Sequence, residues 1–195
     1  NGKGEKAIKI IVSGGVSGTL LPQGTPSIAI LIDERAENPK EYYEKGVAVI
    51  TDKFTRYTPL ATTNNYLEGV RMMQLAAKSG AVEPIYYDDL QVFEGATCNV
   101  FALIEGTLQT PKSNILPGIT RNTLLEILKL DVPILEKDFS LEELLTAGEV
   151  FLTASNKEVM PVVKIDGSPV GNGEVGSISR EVMRQFREST LSDAW

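Results

Sequence analysis

The stretch FEGATCNVFALIEGTLQTP, residues 93–111, decides how the chain folds. TCNVFALI is an apolar run of strand length, and TLQTP follows it across Glu105-Gly106, a pair suited to a two-residue reversal. Two adjacent strands are expected here. Outward from this pair the pattern alternates between strand and helix. On the N-terminal side VEPIYYD (82–88) reads as a strand. Before it, Leu67, Val70, Met73 and Ala77 recur at helical spacing in a run that stops at Gly80, with Asn65 and Glu68 spaced as a capping box. On the C-terminal side PGITRNTLLEILK (117–129) is a turn opening a helix, and VPILEKDF (132–139) is a strand. Ser140 and Glu143 form a second capping box before a short helix. EVFLTASNKEVMPVVKIDG (149–167) is then a strand, a tight turn and a strand, and an amphipathic helix covers about 178–189.

The first quarter of the chain is simpler. Residues 7–13 and 27–33 read as strands on either side of GGVSGTLLPQG (14–24), and 46–52 reads as a third strand after a short acidic helix near 38–44. GGVSG lacks the lysine spacing of a phosphate loop and is read as a plain connection.

Composition removes most chemistries. There is no histidine, so Ser-His-Asp and Cys-His nucleophile activation and histidine-based zinc sites are excluded. A single cysteine, Cys98, allows neither an internal disulfide nor a cysteine cluster, and no metal site is expected. A net charge of −7 argues against binding along a nucleic-acid backbone. No apolar run approaches the roughly 18–20 residues of a membrane span, and the opening NGKGEKAI lacks a signal-peptide core, so a cytoplasmic location is expected. Catalysis without histidine or clustered cysteine points to a bound organic cofactor.

Three segments in this order, FEGATCNVFALIEGTLQTP, ILPGITRNTLLEIL (115–128) and EVFLTASNKEVMPVVKIDGSPVGNGEVG (149–176), with NNYL (64–67) ahead of them, resemble the class IV aminotransferases. This is the fold type IV family of pyridoxal phosphate (PLP) enzymes that includes the branched-chain and D-amino acid aminotransferases and aminodeoxychorismate lyase. The resemblance covers residues 45–190 well and the first 45 loosely. It implies an α/β to α+β fold of the D-amino acid aminotransferase type: a large strand-rich domain at 58–195 holding the pocket, and an incomplete small domain at 1–57. It also implies PLP as cofactor, an amino acid or keto acid as substrate, and a homodimer.

Carried over residue by residue, the resemblance puts Glu94 on the pyridine nitrogen, keeping it protonated so that the ring withdraws electrons. Tyr66 falls on the tyrosine that contacts the ring oxygen, and Leu116 on the leucine that packs against the ring. Ile119 and Thr120 open a helix where unpaired N–H groups and the helix dipole favour the phosphate, and Ser155 presents a hydroxyl to it. Asn156 and Lys157 lie at the turn that meets the substrate carboxylate, where relatives carry small residues. Asn99 is read as structural and Cys98 as a small buried residue.

One residue is missing from this pattern. In relatives a lysine shortly before Asn-Tyr-Leu forms a Schiff base with PLP and shuttles the proton. Alignment on Tyr66 puts its position at Ala61, and alignment by the shorter loop of the D-amino acid enzymes puts it at Thr62. Lys53 lies too far back along its strand to serve. Losing a positioned acid–base group costs roughly 10²–10⁴-fold, so transamination should be degraded or absent and PLP binding noncovalent. In order of preference, the chain is a natural non-catalytic or PLP-independent relative, it carries an engineered or misread residue, or the amine has moved, with Lys157 as substitute. The family's stretch ahead of AIKIIVSGG, with an arginine for the phosphate, is also expected to be missing. The rival to a degraded enzyme is a non-enzymatic binding or regulatory protein that retains the pocket.

Overall fold

The computed structural model describes residues 6–191, so most of the opening that lacks a signal-peptide core lies outside the described residues. The chain divides into two units, Asn1–Glu37 and Asn38–Trp195. The boundary expected at 57 falls within the second unit, whose sheet includes the third strand. In the first unit, β1 (Lys6–Ser13) and β2 (Ser27–Glu34) form an antiparallel hairpin with Ile8 opposite Ile32, Ile10 opposite Ile30 and Val12 opposite Ile28. The period-2 alternation of a strand therefore puts all six β-branched side chains on one face.

The second unit begins with α1 (Glu41–Glu44), β3 (Val47–Lys53), α2 (Leu67–Lys78), β4 (Glu83–Tyr87), β5 (Val92–Gly95), β6 (Asn99–Ile104) and β7 (Thr107–Thr110). It continues with α3 (Ile119–Ile127), β8 (Ile134–Glu136), α4 (Leu141–Leu145), β9 (Glu149–Ala154), β10 (Glu158–Ile165), β11 (Ser168–Pro169) and α5 (Ser177–Leu191). Its nine strands make one mixed sheet in the order β5-β4-β3-β10-β9-β6-β7-β8, with β11 beside β10. β3 runs parallel to β4 and to β10, and β7 runs parallel to β8. Parallel neighbours need a crossover, which α2 supplies between β3 and β4 and α3 between β7 and β8.

Alternation along β6 assigns the layers. Val100, Ala102 and Ile104 enter one apolar cluster with Val49, Ile85, Leu152 and Met160. Phe101 points the other way, stacks on Phe151 with ring centroids 5.0 Å apart, and packs with Leu124 of α3 and Val182 and Phe186 of α5. The reversal after β6 has positive φ at both Glu105 (49°) and Gly106 (75°), the geometry of the turn that suits strand twist. The capping box at Ser140 and Glu143 is formed in both directions.

The other expected capping box is not. α2 starts one residue after Tyr66 without a side-chain cap, and Glu68 instead bonds Arg71. The apolar face of α2 also differs from expectation. Met72 and Ala76 are buried, whereas Leu67 is 82% and Val70 54% exposed. Two adjacent stripes of this helix are apolar, and packing against β4 selects the one that periodicity alone does not.

Candidate functional site

A cavity of about 560 Å³ opens where the end of β5, the start of β6, the end of β9 and the start of α3 converge. Register brings these together: Asn99 on β6 lies opposite Thr153 on β9, and Gly95 on β5 lies opposite Ile85 on β4. The loop from Phe54 to Tyr66, between β3 and α2, completes the wall.

Glu94 borders the cavity with its side chain only 4% exposed. Arg56 Nη1 donates to its Oε1 at 2.5 Å, and its Oε2 accepts from Leu116 N at 2.9 Å and Asn99 Nδ2 at 3.3 Å. Burial raises the Glu94 pKa, opposed by the Leu116 N–H and the Arg56 guanidinium. A carboxylate has about four lone-pair sites, so Glu94 can still accept from a ligand N–H. Asn99 Nδ2 further donates to the Leu116 carbonyl at 2.8 Å, tying β6 to the segment that leads into α3.

The start of α3 offers donors to an anion. Gly118 is the N-cap and has no side chain to offer, so the first-turn N–H groups at Ile119 and Thr120 remain uncapped. A side chain at Gly118 would collide with Asn99 Oδ1, which explains the glycine. Thr153, which borders the same cavity, is 1% exposed and its hydroxyl has no hydrogen-bond partner. Ser155 borders it two residues further along.

Of the residues expected at the site, Tyr66, Glu94, Leu116, Ile119, Thr120 and Ser155 all line the cavity. Thr62 lines it, whereas Ala61 does not and has its carbonyl bonded by Arg56 Nη2 at 2.6 Å. Asn156 and Lys157 are not among the lining residues. The Asn156 carbonyl accepts from Asn38 Nδ2 at 2.6 Å. Lys157, expected at the substrate turn and as a substitute amine, is an 8% exposed residue with its Nζ 3.1 Å from Glu83. Among the described residues lining the cavity there is no lysine. Arg56, Glu83 and Thr153 carry no motif; the sequence signal for Arg56 is only that a buried carboxylate must find a cationic partner somewhere.

Residues 1–165 match the model of the family described as amino-transferase class IV. The chain belongs to the class IV aminotransferase family. D-alanine aminotransferase of Staphylococcus epidermidis (strain ATCC 35984) is 36% identical over 156 residues, 78% of this chain and 55% of the relative. D-alanine aminotransferase of Staphylococcus aureus (strain COL) is 32% identical over 171 residues, 86% of this chain and 60% of the relative. The chain thus spans little more than half the length of these class IV aminotransferases. Among solved structures, the branched-chain amino acid aminotransferase of Escherichia coli superposes with a TM-score of 0.83 at 27% identity, covering 96% of this chain and 67% of that one. The branched-chain aminotransferase of Thermoproteus uzoniensis with norvaline gives 0.80 at 27% identity, covering 94% and 64%. The fold is therefore that of the fold type IV aminotransferases.

The family is PLP-dependent, and the class IV residues present here fit most of that group. The uncapped α3 start and the orphaned Thr153 hydroxyl suit a phosphate, Glu94 suits a protonated ring nitrogen, and Leu116 offers an apolar contact. The fit lacks an amine.

Proposed function

We propose that this chain is a class IV aminotransferase-like protein whose cavity binds PLP noncovalently, with an ancestral activity of amino-group transfer on amino acids or keto acids that is degraded or absent here. The observation that carries the reading is Glu94, buried at the cavity wall and held on both oxygens by Arg56, Leu116 and Asn99. A carboxylate costs several kcal/mol to bury without partners, and this one is buried with its partners at the cavity wall.

In this reading Glu94 faces the protonated ring nitrogen, with Arg56 opposing the effect of burial and aiming the carboxylate. Leu116 packs on the ring, Tyr66 meets the ring oxygen, and the N–H groups of Ile119 and Thr120 with the Ser155 hydroxyl hold the phosphate. PLP, when bound, supplies an electron-withdrawing ring that stabilises negative charge on an attached carbon. Thr62 borders the cavity in place of a lysine, and its hydroxyl neither condenses with a carbonyl nor shuttles a proton near neutral pH. The absence of lysine from the described lining favours the second reading to the same extent: a non-enzymatic protein that uses the pocket to bind a phosphorylated small molecule. We further propose that the chain forms a homodimer.

Isothermal titration with PLP tests the reading, with Ser155→Ala and Glu94→Ala as controls. Binding weakened by each substitution is expected. No heat at millimolar PLP would overturn it, and binding indifferent to both changes would move the site elsewhere. Turnover of an amino donor by the PLP-loaded protein then separates a degraded enzyme from a binding protein.

A further inference from the structure

Lys157 and Glu83 form a charged pair inside the protein, beside the cavity yet not lining it. Glu83 is fully buried on β4, and Lys157 sits at the turn between β9 and β10. Lys157 Nζ is 3.1 Å from Glu83 Oε2 and donates to Thr97 Oγ1 at 2.6 Å. Thr97 in turn donates from its backbone N to Glu83 Oε1 at 2.7 Å and from its hydroxyl to the same carboxylate at 3.1 Å. The charges of the cluster are thus satisfied within it.

The cluster joins two separate turns. One is Gly95–Cys98, closed by Gly95 N donating to the Cys98 carbonyl at 2.7 Å, and its residues line the cavity. A side chain at Gly95 would collide with Cys98 Sγ and come within 3.0 Å of Glu83 Cγ, so this turn lies directly on the buried carboxylate. The other is Ser155–Lys157, closed by Lys157 N donating to the Ala154 carbonyl at 3.0 Å, and it brings Ser155 to the same cavity. The carbonyl of Lys157 is held from outside by the Tyr43 hydroxyl at 3.2 Å. The ammonium is the tie on the inside.

We propose that Lys157 is a positioning residue, which through Glu83 and Thr97 clamps the Gly95–Cys98 and Ser155–Lys157 turns together and so sets the cavity wall. The alternative role of a relocated amine does not fit, because the ammonium is spent on Glu83 and Thr97. The clamp stands on its own geometry; only its effect on ligand affinity rests on the PLP reading above.

Cys98 makes the clamp measurable. It is the only cysteine in the chain, lies on the clamped turn and is 7% exposed. Burial also pushes its thiol well above the usual range, so an intact clamp should make it slow to react. In the full chain, Lys157→Met removes the tie while keeping an unbranched side chain one atom shorter. Alkylation of Cys98, followed by mass under conditions far from unfolding, should accelerate on the order of tenfold to a hundredfold, the equilibrium change carried by one hydrogen bond to a charged group. Affinity for PLP and for inorganic phosphate should fall in the same variant. Lys157→Met leaves Glu83 buried and unpaired, which can prevent folding. The double variant Glu83→Gln with Lys157→Met replaces the pair by neutral groups of similar size. It is expected to unfold near the wild-type midpoint and still to show fast Cys98 labelling, which separates positioning from stability. Cys98 labelling at the wild-type rate in the folded double variant overturns the clamp, as does capture of PLP on Lys157 of the unmutated chain after borohydride reduction. Should the unmutated chain bind neither PLP nor phosphate, the functional reading fails while the Cys98 rates still decide the clamp.

Discussion

Thr62 and Ala61 are one residue apart and differently placed. The Ala61 carbonyl is fixed by Arg56, the same guanidinium that holds Glu94, while Thr62 borders the cavity. Ala61 closes a turn through its N–H to the Thr58 carbonyl at 3.2 Å and stays off the cavity wall, so position 62 rather than 61 is placed to aim an amine inward. Thr62→Lys is expected to capture PLP covalently and Ala61→Lys is not. Each variant is incubated with PLP, reduced with borohydride, and the labelled peptide located by mass. A label on the lysine at 61, or on neither, contradicts this register. Success would restore the group whose loss costs roughly 10²–10⁴-fold in such chemistry, so a gain in turnover by Thr62→Lys would favour the degraded enzyme over the binding protein.

At the scale of elements, β3 and α2 meet through charge as well as packing. Asp52 on β3 has Oδ2 buried without a hydrogen-bond partner, with Glu68 of α2 close by and Arg71 Nη2 4.0 Å from its other oxygen. Two ionised carboxylates cannot bond each other; a proton on Asp52 lets it donate to Glu68. Burial, then the Glu68 charge, accordingly raises the Asp52 pKa, while Arg71 lowers that of Glu68. As pH rises from the ordinary carboxylate range through the raised value, the unfolded chain gives up its proton before the folded protein does. Unfolding free energy therefore falls across that window and stays lower above it. Asp52→Asn supplies a permanent donor and should stabilise the protein at pH 7 by about 1 kcal/mol, a gain that shrinks as the pH is lowered to about 4. Urea unfolding of both proteins at the two pH values measures it. A pH-independent difference, or a loss of stability at pH 7, would refute the assignment.

For the whole molecule, the β1–β2 hairpin carries Ile8, Ile10, Val12, Ile28, Ile30 and Ile32 on one face, each at least 45% exposed. A contiguous apolar face of this kind is commonly an interaction surface, which supports the proposed homodimer. Sedimentation equilibrium at micromolar concentration should return about twice the 21.2 kDa chain mass. A clean monomer would contradict it. No helix among the described residues is long and apolar enough to cross a membrane.

Local patterns were enough to read much of this fold. Hairpins, the β6–β7 reversal at Glu105-Gly106 and the Ser140–Glu143 cap follow from residues within a few positions of one another, where turn geometry and capping bonds are decided. The helix start in ILPGITR is legible for the same reason. What the sequence left open are matters of partnership over distance. Arg56 reaches Glu94 across 38 positions and Lys157 reaches Thr97 across 60. The same limit applies to α2, where two apolar stripes satisfy helical periodicity and only the β4 surface selects Met72 and Ala76 for burial. The place of β3 in the sheet belongs with these, since it is assigned by hydrogen bonds to β4 and β10 rather than by its own composition. The sequence by itself determined most of the elements and the resemblance to the family. Only the tertiary structure decided that Lys157 is buried against Glu83, because a charge finds its partner through the sheet's register and not along the chain.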